Sequence, residues 1–332
     1  MVWLHRTTGH RLCLGTGVVR RLQRAARLLL ALPLFSVLPV SGQSQDSAIE
    51  QSRLFQNTQS PATGRMTPDG TLLPATDSSG AQDDSFGIQQ VLKDNPKVTH
   101  WTVAGGGSLF YTSNAALTRS NTISDGFGVG TASVTWASKI GQQWELQAGA
   151  GAALFRYFDT TDLDFESLAT GVGLTWAPPG TGGVSFFGRY DFTELLDASS
   201  HQILSDNEFT LGAQKTFVLG RSHALSLGVA GSAGISDPFS AQRDLLGFFV
   251  GYQLRLTRNV EADFLYRFGY YFYNDGDRRD VNNVISASVT YHVNQWASVV
   301  GFLSWGDNSS NRSAFDYQVF TGGGGVALNV KF

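Results

Sequence analysis

From Val98 to the end of the chain, apolar residues alternate with small or polar ones at a period of two, in twelve successive runs. The runs begin near Trp101, Phe127, Trp144, Leu168, Val184, Phe209, Leu225, Leu246, Val260, Ile285, Ala297 and Phe320. In the eighth, Leu246, Phe248, Val250, Tyr252, Leu254 and Leu256 share one parity, and Gly247, Phe249, Gly251, Gln253 and Arg255 share the other. The ninth sets Val260, Ala262, Phe264, Tyr266, Phe268, Tyr270 and Phe272 against Glu261, Asp263, Leu265, Arg267, Gly269, Tyr271 and Tyr273. A β-strand turns successive side chains to opposite faces, so each run predicts a strand with one apolar and one mixed face. Runs of about 10 to 14 residues are long enough for a tilted strand to cross a bilayer.

The connections alternate in length. Tight turns fall at Lys139-Ile140-Gly141, Pro178-Pro179-Gly180, Leu219-Gly220-Arg221, Thr257-Arg258-Asn259 and Asn294-Gln295. Longer polar loops fall around Arg119–Asp125, Asp159–Asp162, Leu196–Asp206, Asp237–Asp244, Asn274–Asp280 and Gly306–Arg312. Five short turns and six loops suit an even-stranded barrel with both ends in the periplasm, its loops facing outside. No loop is long enough to fold in as a constriction.

A water-soluble sandwich alternates too, but its outer faces carry many charges. Here the mixed faces hold mostly Gly, Ala, Ser and Thr, and the apolar faces end in Tyr, Trp and Phe, as membrane girdles do. Composition agrees. Charged residues are 15%, aromatics are 12%, and there are 38 glycines; soluble domains average about 25% charged residues. After the first 40 residues no apolar run approaches the roughly 20 residues that a membrane helix needs.

Charges placed on the mixed parity point into the barrel. They are Glu145, Arg189, Asp191, Arg255, Glu261, Asp263 and Arg267. The turn at Arg258 sets Arg255 opposite Glu261 and Gln253 opposite Asp263. Such cross-strand pairs contribute about 0.2 to 1 kcal/mol each. They brace the wall, and they are also the candidates for selecting solutes. Lys215 falls on the apolar parity, where it is expected to snorkel to the interface. Gly149, Gly171, Gly173, Gly228, Gly323 and Gly325 on the inward face leave space in the lumen or relieve crowding in the wall.

The N-terminal 1–42 read as a secretory signal: a basic region, the short apolar run Leu28–Val40, and small residues before a cut after Gly42. That segment holds six arginines, no acid and the lone Cys13. Its removal leaves 18 basic residues against 27 acidic ones, a net of -9. Nucleic-acid binding, which needs basic patches, does not fit, and neither disulfide nor thiolate chemistry remains. Residues 43–95 are rich in Ser, Gln, Asp, Thr, Gly and Pro, and predict a disordered periplasmic linker. Ser85–Leu92 within it is a candidate helical turn or plug.

The last residues place Val326, Leu328, Val330 and Phe332 on one parity, with Gly325 before them. In this the sequence resembles bacterial outer-membrane β-barrel proteins, whose last strand ends on an aromatic residue after apolar residues at alternate positions. The resemblance covers roughly Val98 to Phe332. It implies recognition by the barrel-assembly machinery, outer-membrane lipid as surroundings, and a porin-like function.

Some barrels of this size are hydrolases. His201, near Asp197 and Asp206, is the only His in an expected external loop, and no serine stands in a nucleophile context, as a triad demands. Asn274-Asp275-Gly276-Asp277 with Asp280 offers calcium-type oxygens without the EF-hand spacing. Thr321–Gly325 lacks what a phosphate loop requires. The expectation is an all-β, closed, antiparallel, twelve-stranded transmembrane barrel spanning 96–332, monomeric and without catalytic residues, metal or cofactor. Its leading function is passive passage of small hydrophilic solutes. An occluded structural or surface-interaction barrel is the alternative, and an outer-membrane hydrolase comes third.

Overall fold

The computed structural model describes residues 40–58, 65–66, 72–73 and 100–332 apart from 221, with side chains in the first helix from Gln45 onward. Twelve antiparallel strands close into a barrel. They are β1 (Trp101–Thr112), β2 (Asp125–Ile140), β3 (Trp144–Tyr157), β4 (Phe165–Trp176), β5 (Val184–Asp197), β6 (Gln202–Gly220), β7 (His223–Asp237), β8 (Arg243–Arg255), β9 (Val260–Tyr273), β10 (Arg279–His292), β11 (Ala297–Ser310) and β12 (Tyr317–Lys331). Each strand pairs with its chain neighbours. The seam closes where β12 meets β1, from Thr321 opposite Thr112 to Lys331 opposite Thr102. Closure leaves no unpaired strand edge, the condition for placing a sheet in lipid.

The outward rows are those of the apolar parity. Leu211 is 72% exposed and Leu246 61%. The C-terminal row Val326, Leu328, Val330 and Phe332 is outward and exposed as well. Aromatic residues rim both ends of the belt. Trp101, Trp144, Trp176 and Trp296 are exposed at the short-turn end, and Tyr111, Phe158, Phe209, Phe272 and Phe320 toward the loop end. Trp144 stacks on Trp176 with ring centroids 5.5 Å apart. This predominantly apolar surface is that of a transmembrane barrel. Lys215 faces outward as its parity requires, with its ammonium 4.7 Å from the Phe217 ring and near the short-turn residue Gly182.

Strands starting at the short-turn end begin where the alternation begins, at Trp101, Trp144, Val184, Val260 and Ala297. Those starting at the loop end begin earlier than the alternation suggests: β6 starts at Gln202, not Phe209, and β10 at Arg279, not Ile285. The apolar parity marks only the part of a strand in contact with lipid. Beyond it the ladder continues through polar residues. The loop expected over Leu196–Asp206 is therefore a tight turn at 198–201, and the longest connection among the barrel loops is 113–124.

The linker expected over 43–95 needs a correction. Its first part belongs to a helix, α1 (Val40–Thr58). From Gln45 onward α1 lies inside the barrel. Arg65–Met66 pairs with Leu72–Leu73 as a minimal two-stranded sheet. The remaining linker residues, including Ser85–Leu92, lie outside the described residues, as does the expected signal segment before Val40.

Two polar side chains on the lipid-facing parity are satisfied by tyrosines of the neighbouring strand. Tyr190 Oη donates to Asn207 Oδ1 at 2.8 Å, and Tyr266 Oη donates to Asn283 Oδ1 at 2.9 Å. An amide in lipid without its partner is costly, by about 1 to 3 kcal/mol. Tyr266→Phe is expected to destabilise the folded barrel by roughly that amount, as measured by urea unfolding in lipid vesicles.

Candidate functional site

The site is the lumen, and among the described residues α1 is its main occupant. The helix runs with its N-terminal end at the loops and its C-terminal end deeper in the barrel. Ser47 Oγ donates to the Ala116 carbonyl in loop 113–124 at 2.9 Å. Gln51 Nε2 donates to the carbonyls of Asn114 at 3.2 Å and Ala115 at 2.8 Å. Further in, the Thr58 carbonyl accepts from Ser286 Oγ of β10 at 3.0 Å. Asn57 donates to Tyr271 Oη at 3.0 Å and accepts from Arg267 Nη1 at 3.0 Å, both in β9.

Three faces of α1 meet the barrel, two of them apolar and one polar. Ala48, Ile49 and Phe55 pack into a core with Phe127, Phe155, Phe165, Leu195 and Leu204. Phe55 meets Phe155 edge-on at 5.2 Å and Phe110 at 5.9 Å. Leu54 joins Val284, Tyr317 and Val319, and lies over Gly306 of β11. Burying Ile49, Leu54 and Phe55 is worth about 1.5 to 3 kcal/mol apiece. The third face, Glu50, Arg53 and Asn57, is polar. Strands β1, β3, β8, β9, β10 and β11 all touch the helix, so α1 is held from every side.

Glu50 sits among cations. It is 3.5 Å from Arg278, 3.8 Å from Arg53 and 3.9 Å from Arg243, and it accepts from Tyr273 Oη at 2.9 Å. Burial pushes its carboxyl up, but the three guanidiniums and Tyr273 outweigh burial and hold it below its ordinary value. Arg278 is clamped in turn by Asp280, at 2.5 Å, and stacks between Tyr273 at 3.9 Å and Phe315 at 3.6 Å. Asn308 Nδ2 donates to Asp280 at 3.1 Å. Arg53 Nη2 donates to the Ala241 carbonyl at 2.7 Å and lies 3.5 Å from Asp206. Removing one member of such a buried set strands its partners, which costs about 3 to 5 kcal/mol for a paired charge.

Below this layer the lumen holds a cavity of about 520 Å³. Three expected site residues line it: Arg189, Asp191 and Arg267. Arg189 Nη2 bonds Asp191 Oδ1 at 2.6 Å along β5. The other three, Arg255, Glu261 and Asp263, lie at the short-turn end and outside that lining. Their register is as expected, with Arg255 opposite Glu261 and Gln253 opposite Asp263. Glu261 nevertheless takes a hydrogen bond from Gln253 rather than facing open space. The inward glycines make room for neighbouring side chains. A Cβ at Gly228 would run into the Phe249 ring, one at Gly171 would meet Asp191 at 2.5 Å, and one at Gly173 would meet Arg189 at 3.0 Å. Long inward side chains thus lie flat on the wall and leave the cavity clear.

Sequence reasoning missed Glu50, Arg53, Asp206, Arg243, Arg278 and Asp280 as site residues. Asp206, Arg243 and Asp280 fell in segments read as loops, because their strands outrun the lipid belt, and Arg278 stands in the loop just before β10. For α1 a signal was present: 43–60 contains neither Gly nor Pro, whereas both recur from Pro61 onward. The oxygen groups weighed around Asn274–Asp280 do not converge, since Asp280 points into the barrel and is taken by Arg278. His201 lies exposed on its turn with Nδ1 3.3 Å from Asp197, and the Asp197 carboxylate accepts the backbone N–H groups of Ser199 and His201. That arrangement closes a hairpin.

No protein-family model and no curated protein matches the chain. Similar solved structures exist at very low identity. An outer membrane channel from Pseudomonas putida F1 has a TM-score of 0.49 at 9% identity, covering 70% of this chain and 96% of that one. The translocator domain of the autotransporter NalP from Neisseria meningitidis has 0.40 at 11%, covering 70% and 90%. An anion-selective porin from Comamonas acidovorans has 0.35 at 10%, covering 70% and 99%. These likenesses concern architecture and say nothing of what this barrel carries.

Because the Glu50 carboxyl titrates lower in the folded protein than in an unfolded chain, its hold on α1 is complete above its ordinary value of 4.5 and is lost as pH falls through the depressed value. A spin label at exposed Gln45 is expected to stay immobile from pH 7 to 5 and to gain mobility only on stronger acidification. Mobility that already rises between pH 7 and 5 would show that another group holds the helix.

Proposed function

We propose that the protein is a porin-like channel of a bacterial outer membrane, admitting small hydrophilic solutes, with α1 as its resident plug. The observation that carries this reading is the cavity of about 520 Å³ within the wall, lined by Arg189, Asp191, Glu208 and Arg267 and by Ser52 and Asn57 of the helix. A barrel built only as a scaffold gains nothing from charged groups held around open space. The apolar belt, the paired aromatic rims and the outward C-terminal row support the outer membrane as its place and the barrel-assembly machinery as its partner. Tight turns then face the periplasm, where a cleaved signal segment of 1–42 would have delivered the chain.

Within that reading, Arg189, Asp191 and Arg267 act on solute in the lumen, and Arg255, Glu261 and Asp263 at the periplasmic rim act on its entry. The barrel is non-catalytic. The second reading, an occluded surface-interaction barrel, is favoured by one observation: α1 is gripped by strands on all sides.

Planar-bilayer recording of the full-length protein separates the two. Small discrete conductances are expected from the wild type. Larger ones are expected from Ile49→Asp/Phe55→Asp, in which two carboxylates in the apolar core drive α1 out. Silence from both proteins would leave the occluded reading. In conducting protein, Arg189→Gln/Arg267→Gln is expected to shift the zero-current potential in a salt gradient toward cation preference.

A further inference from the structure

A second cavity, of about 270 Å³, opens at the loop end of the lumen and is lined by Asp46, Glu50, Arg278, Arg312 and Tyr317 among others. Only one described residue borders both this outer cavity and the inner one of about 520 Å³, and it is Arg53. Its side chain is 6% exposed. One guanidinium nitrogen, Nη2, reaches the Ala241 carbonyl and faces Asp206 across the lumen from the helix. The other, Nη1, is buried without a hydrogen-bond partner and has only Glu50, 3.8 Å away. The barrier between the two spaces is thus a side chain reaching from helix to wall, satisfied at one end and loosely held at the other.

We propose that Arg53 is the gate of the channel, and that solute passes alongside a stationary α1 when this side chain swings off Ala241. The proposal rests on the channel reading above and adds where the path runs and what closes it. Two modes of opening are in competition. Expelling α1 would strip Phe127, Phe155, Phe165 and Val284 of their cover and leave Arg243 and Arg278 without Glu50. Rotating Arg53 breaks one hydrogen bond to a carbonyl and two long ion pairs, to Asp206 at 3.5 Å and Glu50 at 3.8 Å, and joins two cavities that already exist. A long, flexible, charged side chain crosses such a gap readily, because each of its single bonds has several staggered states of similar energy. The gate admits small polar solutes only, because the remaining lining at that level, Glu50, Asp206 and Arg243, is charged and fixed by its own contacts.

The test is single-channel recording of full-length proteins whose folding is checked by retention of the compact, heat-sensitive band on gels. Arg53→Ala is expected to raise conductance several-fold over wild type. Arg53→Lys, which keeps length and charge, is expected to stay within about twofold of wild type, since the ammonium still spans the gap. Leu54→Ala loosens the helix on another face without touching either cavity, and is expected to match wild type. If Leu54→Ala opens the channel as far as Arg53→Ala, helix departure is the opening step and the proposal falls. If Arg53→Ala stays at the wild-type level while Ile49→Asp/Phe55→Asp conducts, the closure lies elsewhere and the proposal falls while the channel reading stands. If none of these proteins conducts, the channel reading itself fails and takes the gate with it.

Discussion

Backbone pairing in lipid is the constraint from which the rest follows. Every N–H and C=O in the wall must find a partner within the protein, and closing β12 onto β1 achieves this. Closure has a second effect. It creates an inside, and in a twelve-stranded wall that inside is too wide for the wall's own side chains to fill. The outward rows are settled by hydrocarbon. The inward rows are free to become a water-filled space, a protein core, or both. This protein does both, with a core around α1 at the loop end and a polar cavity beneath it.

That division explains why the inner wall changes character along its length. Toward the loops it carries Phe127, Phe155, Phe165, Leu195 and Leu204, which would be poor neighbours for water and are covered by Ile49 and Phe55. Deeper in, it carries small and charged residues, with glycines such as Gly171 and Gly173 letting Asp191 and Arg189 lie along the sheet. On another face of the helix, also at the loop end, its charges meet those of the wall. Glu50 is balanced by Arg243, Arg278 and Arg53, and none of these groups would be tolerable at that depth without the others.

Strand number, order and the tight turns were legible in the sequence because lipid imposes a period of two along most of each strand, broken toward the loops where inward residues such as Phe127 and Phe155 are apolar too. Lys215 could be placed, and the pairing of Arg255 with Glu261 could be counted from the turn at Arg258. Legibility stopped where lipid stops. Asp206, Arg243 and Asp280 lie on strand extensions whose outer faces meet water, so no apolar parity marks them as inward-facing. The helix was hidden for a different reason. Its environment is neither water nor lipid but a partly charged lumen, so its faces are apolar, polar and mixed. A segment such as Ser47–Thr58 then looks by composition like a solvated tail, and only its lack of Gly and Pro distinguishes it.

The order of the elements along the chain has a consequence for biogenesis. The helix precedes every strand of the wall, yet its berth is bounded by residues as late as Tyr317 and Val319 in the final strand. The earliest-synthesised of the described elements therefore waits for the last before it has anywhere to go. Either the wall curls shut around it, or it slides in through a finished ring. In both histories the seam between first and last strands marks the moment at which the interior, and with it the helix, becomes structured.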